Sequence, residues 1–296
     1  MYNIIIPVIY RDYSFLKTTI RYVNKYLTPE HVYIFTDIRF KRFLPKIILE
    51  DTNYVIVDES KLLEGLTQDN LKILFSKLGR TKIGVGWYFQ QFLKMAFALS
   101  DYCDTEYYLS WDSDTIPLRN IDFFNEGGKP YFTMKTEYHM PYFLAIEKLL
   151  GITKTNSRSY IAENMMFNKS IMIEMVNCIQ SNSLLAGNTW YEKIIYALEP
   201  ESVSPMGFSE FETYGNYCLK FHPGFYEERT LPSFRKGGLI QGRFVSDKIL
   251  EELAFDQATA SFEIYDRPPF PWGKFSYWYA RWQRRKELFI RRWLLN

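Results

Sequence analysis

Cysteine is scarce, long apolar runs are missing and net charge is nearly absent, and each shortage removes a class of protein. The three cysteines, Cys103, Cys178 and Cys218, lie far apart with no Cys-x-x-Cys spacing, so neither a zinc site nor a disulfide framework is indicated and a reducing cytoplasm fits. Nowhere do about 18 uncharged apolar residues follow one another, so no segment reads as a transmembrane helix. Met1 leads straight into Tyr2-Asn3-Ile4-Ile5-Ile6 without a basic leader, a long apolar core or a small-residue cleavage site, which is not the pattern of a secretory signal. A formal net charge of +2 argues against general nucleic-acid binding. No glycine-rich loop follows the first apolar run, which argues against a P-loop NTPase and a dinucleotide-binding Rossmann enzyme, since both bring backbone close to phosphate on glycines.

Aromatic residues, by contrast, are abundant: 18% of the 296 residues are Phe, Trp or Tyr, and 23 of them are tyrosines. Such side chains suit sugar rings, cores and membrane interfaces alike. The length fits one large α/β domain with an appendage. Over the first 115 residues, short β-branched or aromatic runs alternate with segments of helical period, the pattern of a mostly parallel sheet flanked by helices. Strands are expected at 3–9, 31–36, 54–57 and 106–111. Phe15, Leu16, Ile20, Val23 and Leu27 mark one helical face; Leu62, Leu63, Leu66, Leu71, Leu74, Phe75 and Leu78 mark another. Beyond Asp114 the order is less regular, with strands expected at 131–135 and 161–167, helices at 141–150 and 170–180, and loops at 200–209 and 223–242.

The run Tyr107-Tyr108-Leu109-Ser110-Trp111 ends abruptly in Asp112-Ser113-Asp114-Thr115. Two carboxylates one residue apart on extended backbone point to the same side and can reach one divalent cation. Mg²⁺ or Mn²⁺ suits such hard oxygen ligands, and the cation would neutralise charge on a departing nucleoside diphosphate. Acidic pairs after strands also serve as turn residues or helix caps. The first strand runs through Pro7-Val8 into Tyr10-Arg11-Asp12, and ligands of open α/β sheets bind beyond the carboxyl ends of strands, so Pro7, Val8, Tyr10 and Asp12 are candidates for contact with a nucleotide.

The segment 86–99 reads as a helix apolar on nearly all sides, yet it carries Gln90, Gln91 and Lys94 beside Trp87. Buried amides and an ammonium need partners, either in neighbouring loops or in a bound nucleotide sugar. A second acidic pair lies in Ser209-Glu210-Phe211-Glu212-Thr213-Tyr214. It reads as a polar turn before a short helix capped by Ser209, or as an acceptor-side wall in which Glu210 or Glu212 is the catalytic carboxylate and Tyr214 faces the acceptor. Of the three histidines, His31 is structural, His139 is a candidate for acceptor contact and His222 for the metal shell.

Five ordered stretches, namely Ile4-Ile5-Ile6-Pro7-Val8, Gly86-Trp87-Tyr88-Phe89-Gln90-Gln91-Phe92-Leu93-Lys94, Trp111-Asp112-Ser113-Asp114-Thr115, Glu137-Tyr138-His139-Met140-Pro141-Tyr142-Phe143 and Ser209–Tyr217, together resemble a bacterial family of glycosyltransferase-like proteins described as a domain of unknown function. The likeness spans roughly residues 3–225. It implies a GT-A fold with a Rossmann-type mixed sheet, a nucleotide-sugar donor, a divalent metal and a role in surface polysaccharide or lipopolysaccharide assembly. Members of that family commonly read Asp-Ala-Asp-Thr at the acidic pair, whereas this chain has Asp-Ser-Asp-Thr. Glu163 and Asn164 stand where the family would suggest histidine-like residues.

From Trp272 the chain carries seven Lys and Arg against one Glu, with Phe275, Trp278, Trp282, Phe289 and Trp293 on one helical face. Tryptophan beside cations is the make-up of an interfacial helix on anionic lipid, although the same face can pack on protein. Pro268-Pro269-Phe270-Pro271 separates this tail, 268–296, from a catalytic region at 1–267. The expectation is therefore a metal-dependent glycosyltransferase with a nucleotide-diphosphate sugar donor and a glycan or lipid-linked saccharide acceptor. It would work in the cytoplasm, in peripheral contact with an anionic membrane through 272–296. A non-catalytic carbohydrate-binding protein and a haloacid-dehalogenase-type phosphatase are the alternatives.

Overall fold

A computed structural model describes residues 1–80, 83–154, 157–200 and 206–295. The first half contains β1 (Asn3–Pro7), α1 (Tyr13–Tyr26), β2 (Val32–Thr36), α2 (Lys46–Glu50), β3 (Tyr54–Asp58), α3 (Gln68–Lys77), α4 (Val85–Ala96) and β4 (Tyr107–Trp111). There follow β5 (Thr115–Pro117), β6 (Tyr131–Thr133), α5 (Met140–Leu150), β7 (Asn164–Asn168), α6 (Lys169–Ser181), α7 (Trp190–Ala197) and α8 (Glu210–Phe221). The last part holds β8 (Glu227–Arg229), β9 (Ser233–Phe234), α9 (Gly238–Gln241), α10 (Asp247–Leu253), β10 (Thr259–Ser261) and α11 (Trp272–Leu295). The class is α/β: the main sheet has the order β3-β2-β1-β4-β7, and helices alternate with its strands along the chain.

β1 and β2 are buried at every position, as continuous apolar runs inside an α/β sheet must be. β1 pairs parallel with β4, Ile4 opposite Leu109 and Ile5 opposite Ser110. Local chemistry sets the helix ends. Thr67, Asn168, Ser209 and Ser246 each accept a backbone N–H through the side chain, Thr189 and Glu192 form a capping box, and α5 stops at Gly151, whose φ is +65°.

Internal contacts divide the chain into two units interleaved in sequence. Unit 1 comprises Met1–Ile5, Asp58–Ser110 and Phe123–Thr230; unit 2 comprises Ile6–Val57, Trp111–Asp122 and Leu231–Asn296. The core of unit 1 is aromatic: Phe132 stacks on Tyr226 at 3.6 Å, and Tyr214 meets Phe167 edge-on at 4.8 Å. In unit 2, β10 pairs antiparallel with β5 and parallel with β9. Phe15 and Tyr22 of α1 close over this small sheet together with Ile116, Leu118, Leu250, Ala260 and Phe262.

Several sequence expectations need correction. Residues 62–66 are turns and not the start of a helix, because Gly65 takes φ +79° and α3 begins only after Thr67. The helix expected over 86–99 ends at Ala96 and continues as a 3-10 turn, Phe97–Leu99. The strand expected at 161–167 forms only from Asn164. The loops expected at 223–242 contain β8, β9 and α9, and part of the loop at 200–209, residues 201–205, lies outside the described residues.

Candidate functional site

In unit 2, Trp111, the last residue of β4, leads into β5 through a tight turn, closed by Thr115 N–H donating to Asp112 O at 3.1 Å. The extended backbone expected for Asp112-Ser113-Asp114 is thus corrected: a turn, and not strand alternation, aims the two carboxylates. The turn is pinned from below. Trp111 has no exposed surface, and its Nε1–H donates to Thr115 O at 2.8 Å. Thr19 of α1 donates to Ser113 O at 2.7 Å, and Phe262 N–H donates to Asp114 O at 2.9 Å.

Asp114 does not act alone. Arg243, in the 3-10 turn Gly242–Phe244, sends Nη1 to Asp12 and Nη2 to Asp114 at 3.5 Å, while its Nε donates to Phe262 O at 3.0 Å. Its charged plane also lies 5.3 Å from the Phe15 ring. Burial pushes the Asp114 carboxyl up to about 7; Arg243 opposes that rise, and the negative charges of Asp112, Asp12 and Glu263 add to it. Arg243 is held above its ordinary value, with Asp12 and Asp114 raising it against the effect of burial. The arrangement is an acidic turn whose charge is balanced by one enclosed guanidinium.

Pro7 closes β1, and the Val8 N–H donates to Phe35 O at 2.9 Å. Tyr10 opens a 3-10 turn, Tyr10–Asp12, where its ring packs on Phe40 at 4.9 Å and on Phe43 at 5.5 Å and keeps little exposed surface. Asp12 stands at the start of α1 but makes no capping bond there; its carboxylate is turned to Arg243. Asp12, Asp112, Ser113 and Asp114 therefore belong to one neighbourhood of unit 2.

The remaining candidates belong to unit 1. Helix α4 presents Lys94, whose Nζ lies 2.9 Å from Glu210 Oε1 and 4.4 Å over the Phe211 ring. Gln91 Oε1 accepts the Glu210 N–H at 3.0 Å. Gln90 is partly exposed, and Trp87 stacks on Tyr142 at 6.4 Å. The segment from Ser209 is helical throughout. Glu212, with no exposed surface, accepts from Tyr160 N–H at 2.7 Å, Lys154 Nζ at 3.1 Å, Ser159 Oγ at 3.2 Å and Asn216 Nδ2 at 3.2 Å. Tyr214 lies in the core; its hydroxyl accepts from Asn168 N–H at 2.9 Å and bonds Tyr226 at 2.8 Å. His139 Nε2 is 2.8 Å from Met206 O. His222 Nε2 is 3.0 Å from the Glu174 carboxylate.

Among the described residues no three His, Cys, Asp or Glu side chains converge to hold a metal by themselves. The donor chemistry at the turn nevertheless fits Mg²⁺ or Mn²⁺: hard carboxylate oxygens, partly exposed at Asp112 and Asp114, to which phosphate oxygens of a ligand can be added. Sequence reading missed Arg243, 129 positions from Asp114. Gly242 was a usable signal. Its φ is +61°, and a Cβ there would sit 2.1 Å from Ser276 Oγ, so the glycine marks a close approach that positions the next residue.

The model of a family of unknown function, DUF6492, matches residues 9–221. No curated protein matches the chain. Among solved structures, mouse xyloside xylosyltransferase 1 in its apo form is similar over 90% of this chain and 99% of its own, at 9% identity and a TM-score of 0.48. The apo WbbM bifunctional glycosyltransferase is similar over 94% of this chain and 51% of its own, at 11% identity and a TM-score of 0.49. The galactosyltransferase LgtC, in complex with donor and acceptor sugar analogs, is similar over 94% and 95%, at 10% identity and a TM-score of 0.47.

Proposed function

The chain belongs to DUF6492, a family of unknown function, and from its own residues we propose that it is a metal-dependent glycosyltransferase. It would move a sugar from a nucleotide-diphosphate sugar to a glycan or lipid-linked saccharide acceptor in bacterial surface polysaccharide assembly. The observation that carries this reading is the pinned turn that brings Asp112 and Asp114 together at the end of β4, with Arg243 between Asp114 and Asp12.

Asp112 and Asp114 would hold Mn²⁺ or Mg²⁺ there. When bound, the ion supplies charge neutralisation for the departing diphosphate. Arg243 contributes a fixed positive charge to the same neighbourhood and keeps Asp12 and Asp114 from repelling each other. Pro7, Val8 and Tyr10 are proposed to border the nucleotide. The acid–base group is proposed to be Glu210, because every Glu212 oxygen is already bonded to scaffold donors. Its carboxylate is held 2.9 Å from Lys94 Nζ, which fixes its position. Gln90, Gln91 and Trp87 of α4, with His139, complete the proposed donor- and acceptor-side set, while Tyr214, enclosed in the core, falls outside it.

No helix among the described residues is long and apolar enough to cross a membrane. A cytoplasmic enzyme held at the inner face of the plasma membrane by 272–296 would meet acceptors that cannot leave the bilayer.

Thermal shift with nucleoside diphosphates, with and without Mn²⁺, tests the reading. One nucleotide should raise the melting temperature only when the metal is present, and Asp112→Ala or Asp114→Ala should abolish the rise. Stabilisation that ignores the metal, or that survives both substitutions, overturns it. Turnover of the matching nucleotide sugar separates an enzyme from a carbohydrate-binding protein.

A further inference from the structure

Helix α11 turns its aromatic stripe outward. Ser276 and Gln283 face the rest of unit 2 and are buried, with Ile290 the apolar residue among them. Gln283 Nε2 donates to Tyr279 Oη at 2.8 Å and to Ser14 Oγ at 3.3 Å. Arg11 pairs with Glu287 at 3.2 Å and Arg291 with Asp37 at 3.2 Å. Phe275, Trp278, Trp282, Phe289 and Trp293 point away and are each between 54% and 72% exposed. A helix that merely covered a core would have turned these rings inward, since burying one large apolar side chain contributes roughly 1.5–3 kcal/mol. A cluster of such rings left outside marks a surface made for contact.

A second, sequence-distant stretch extends that surface. The 3-10 turn Ile38–Phe43 and the short helix α2 expose Ile38, Ile47 and Leu49, interleaved with exposed Arg39, Lys41, Arg42 and Lys46. This stretch meets the end of α11. The Arg42 guanidinium lies 4.3 Å over the Trp293 ring, that of Arg291 lies 4.8 Å over Phe40, and a cavity of about 360 Å³ is lined by Ile38, Arg39, Lys41, Arg42, Leu49 and Leu294.

Charge selects the occupant. Residues 272–296 hold seven Lys and Arg against one acidic residue, and 38–49 hold four against none, in a chain whose total is only +2. Two copies of so basic a face would repel each other, and a nucleic acid would make no use of five outward rings. Rings that enter the headgroup boundary and cations that meet lipid phosphate use both features together.

We propose that residues 38–49 and helix α11 form one docking face for an anionic phospholipid surface. The inference deepens the membrane contact proposed above for the tail and is independent of the glycosyl-transfer chemistry.

Co-sedimentation of the full chain with phosphatidylcholine vesicles, with and without phosphatidylglycerol, tests it. Binding should require phosphatidylglycerol and weaken with salt. Reversing two cations outside α11 in sequence, Lys41→Glu with Arg42→Glu, should weaken it about tenfold or more, since each basic residue near an anionic surface contributes about 1 kcal/mol. Trp278→Ser with Phe289→Ser should weaken it independently. Circular dichroism and the nucleotide thermal shift, both recorded without vesicles, should be unchanged in the two variants. They report folding and donor binding separately from docking. Wild-type binding by the Lys41/Arg42 variant would confine docking to the tail and overturn the inference. Equal binding to neutral vesicles would do the same, as would a wild-type dimer that the tail variant converts to monomer, which would make a second copy the occupant.

Discussion

The guanidinium of Arg243 stands 3.5 Å from the carboxylate of Asp114, and its other amino group holds Asp12. One cation thus answers for two carboxylates that the fold brings together from two separate segments of unit 2. Removing it leaves like charges facing each other in a poorly hydrated place.

Arg243→Gln should therefore lower the melting temperature. Breaking a fully buried ion pair costs about 3–5 kcal/mol; Asp114 retains some exposure, so about 2 kcal/mol is expected here. For a chain of this size that is a fall of roughly 3 °C by differential scanning fluorimetry. Added Mn²⁺ should restore more stability to the variant than to the wild type. A variant that melts like the wild type would remove Arg243 from the charge balance.

The Lys94 and Glu210 pair allows a double-mutant cycle. Lys94→Met alone leaves a buried carboxylate without its ammonium and should cost about 3–5 kcal/mol. Adding Glu210→Gln should recover most of that loss in urea denaturation, because the uncompensated charge is gone. Additive losses would show that the two side chains stabilise α4 and α8 separately.

Gly215 sits in α8 directly over the Tyr160 ring, where a Cβ would come within 2.2 Å of Cδ2. Gly215→Ala normally favours a helix by about 1 kcal/mol. Here overpacking should outweigh that and leave a net loss of about 1–3 kcal/mol, read as a lower urea midpoint.

Thiol chemistry checks burial independently of function. Burial pushes the Cys103 thiol up to about 11 and raises Cys218 as well, and both are enclosed, whereas Cys178 is exposed. At pH 8 the Cys103 thiolate fraction is then on the order of one in a thousand. Ellman's reagent should titrate one thiol in the native protein and all three after denaturation. Rapid reaction of two or more would contradict the packing around β4 or α8.

The strands β1 to β4 were legible because each is a short apolar run bounded by polar residues, and burial on both faces leaves such a run little choice. The acidic pair was legible for the same reason: it follows directly from the end of β4. The geometry of that pair was not, since whether Asp112-Ser113-Asp114 stays extended or turns depends on Thr19 and Phe262, whose bonds to the turn are tertiary. Arg243 carried no periodic signal and reaches Asp12 and Asp114 only through the fold. The tail was read correctly as a helix with an aromatic stripe. Which way that stripe points depends on Ser14, Arg11 and Asp37, far from it in sequence.

The direction of the stripe also sets how the tail comes loose. Its seam to the body joins polar bonds and partly exposed ion pairs, Arg11 with Glu287 and Arg291 with Asp37, to the Phe244 ring packed on Trp272 and Tyr279 and to buried Ile290. Screening shortens to about 3 Å in 1 M salt, so concentrated salt works on these ion pairs while leaving the apolar cores intact. Limited proteolysis in rising salt should release α11 first.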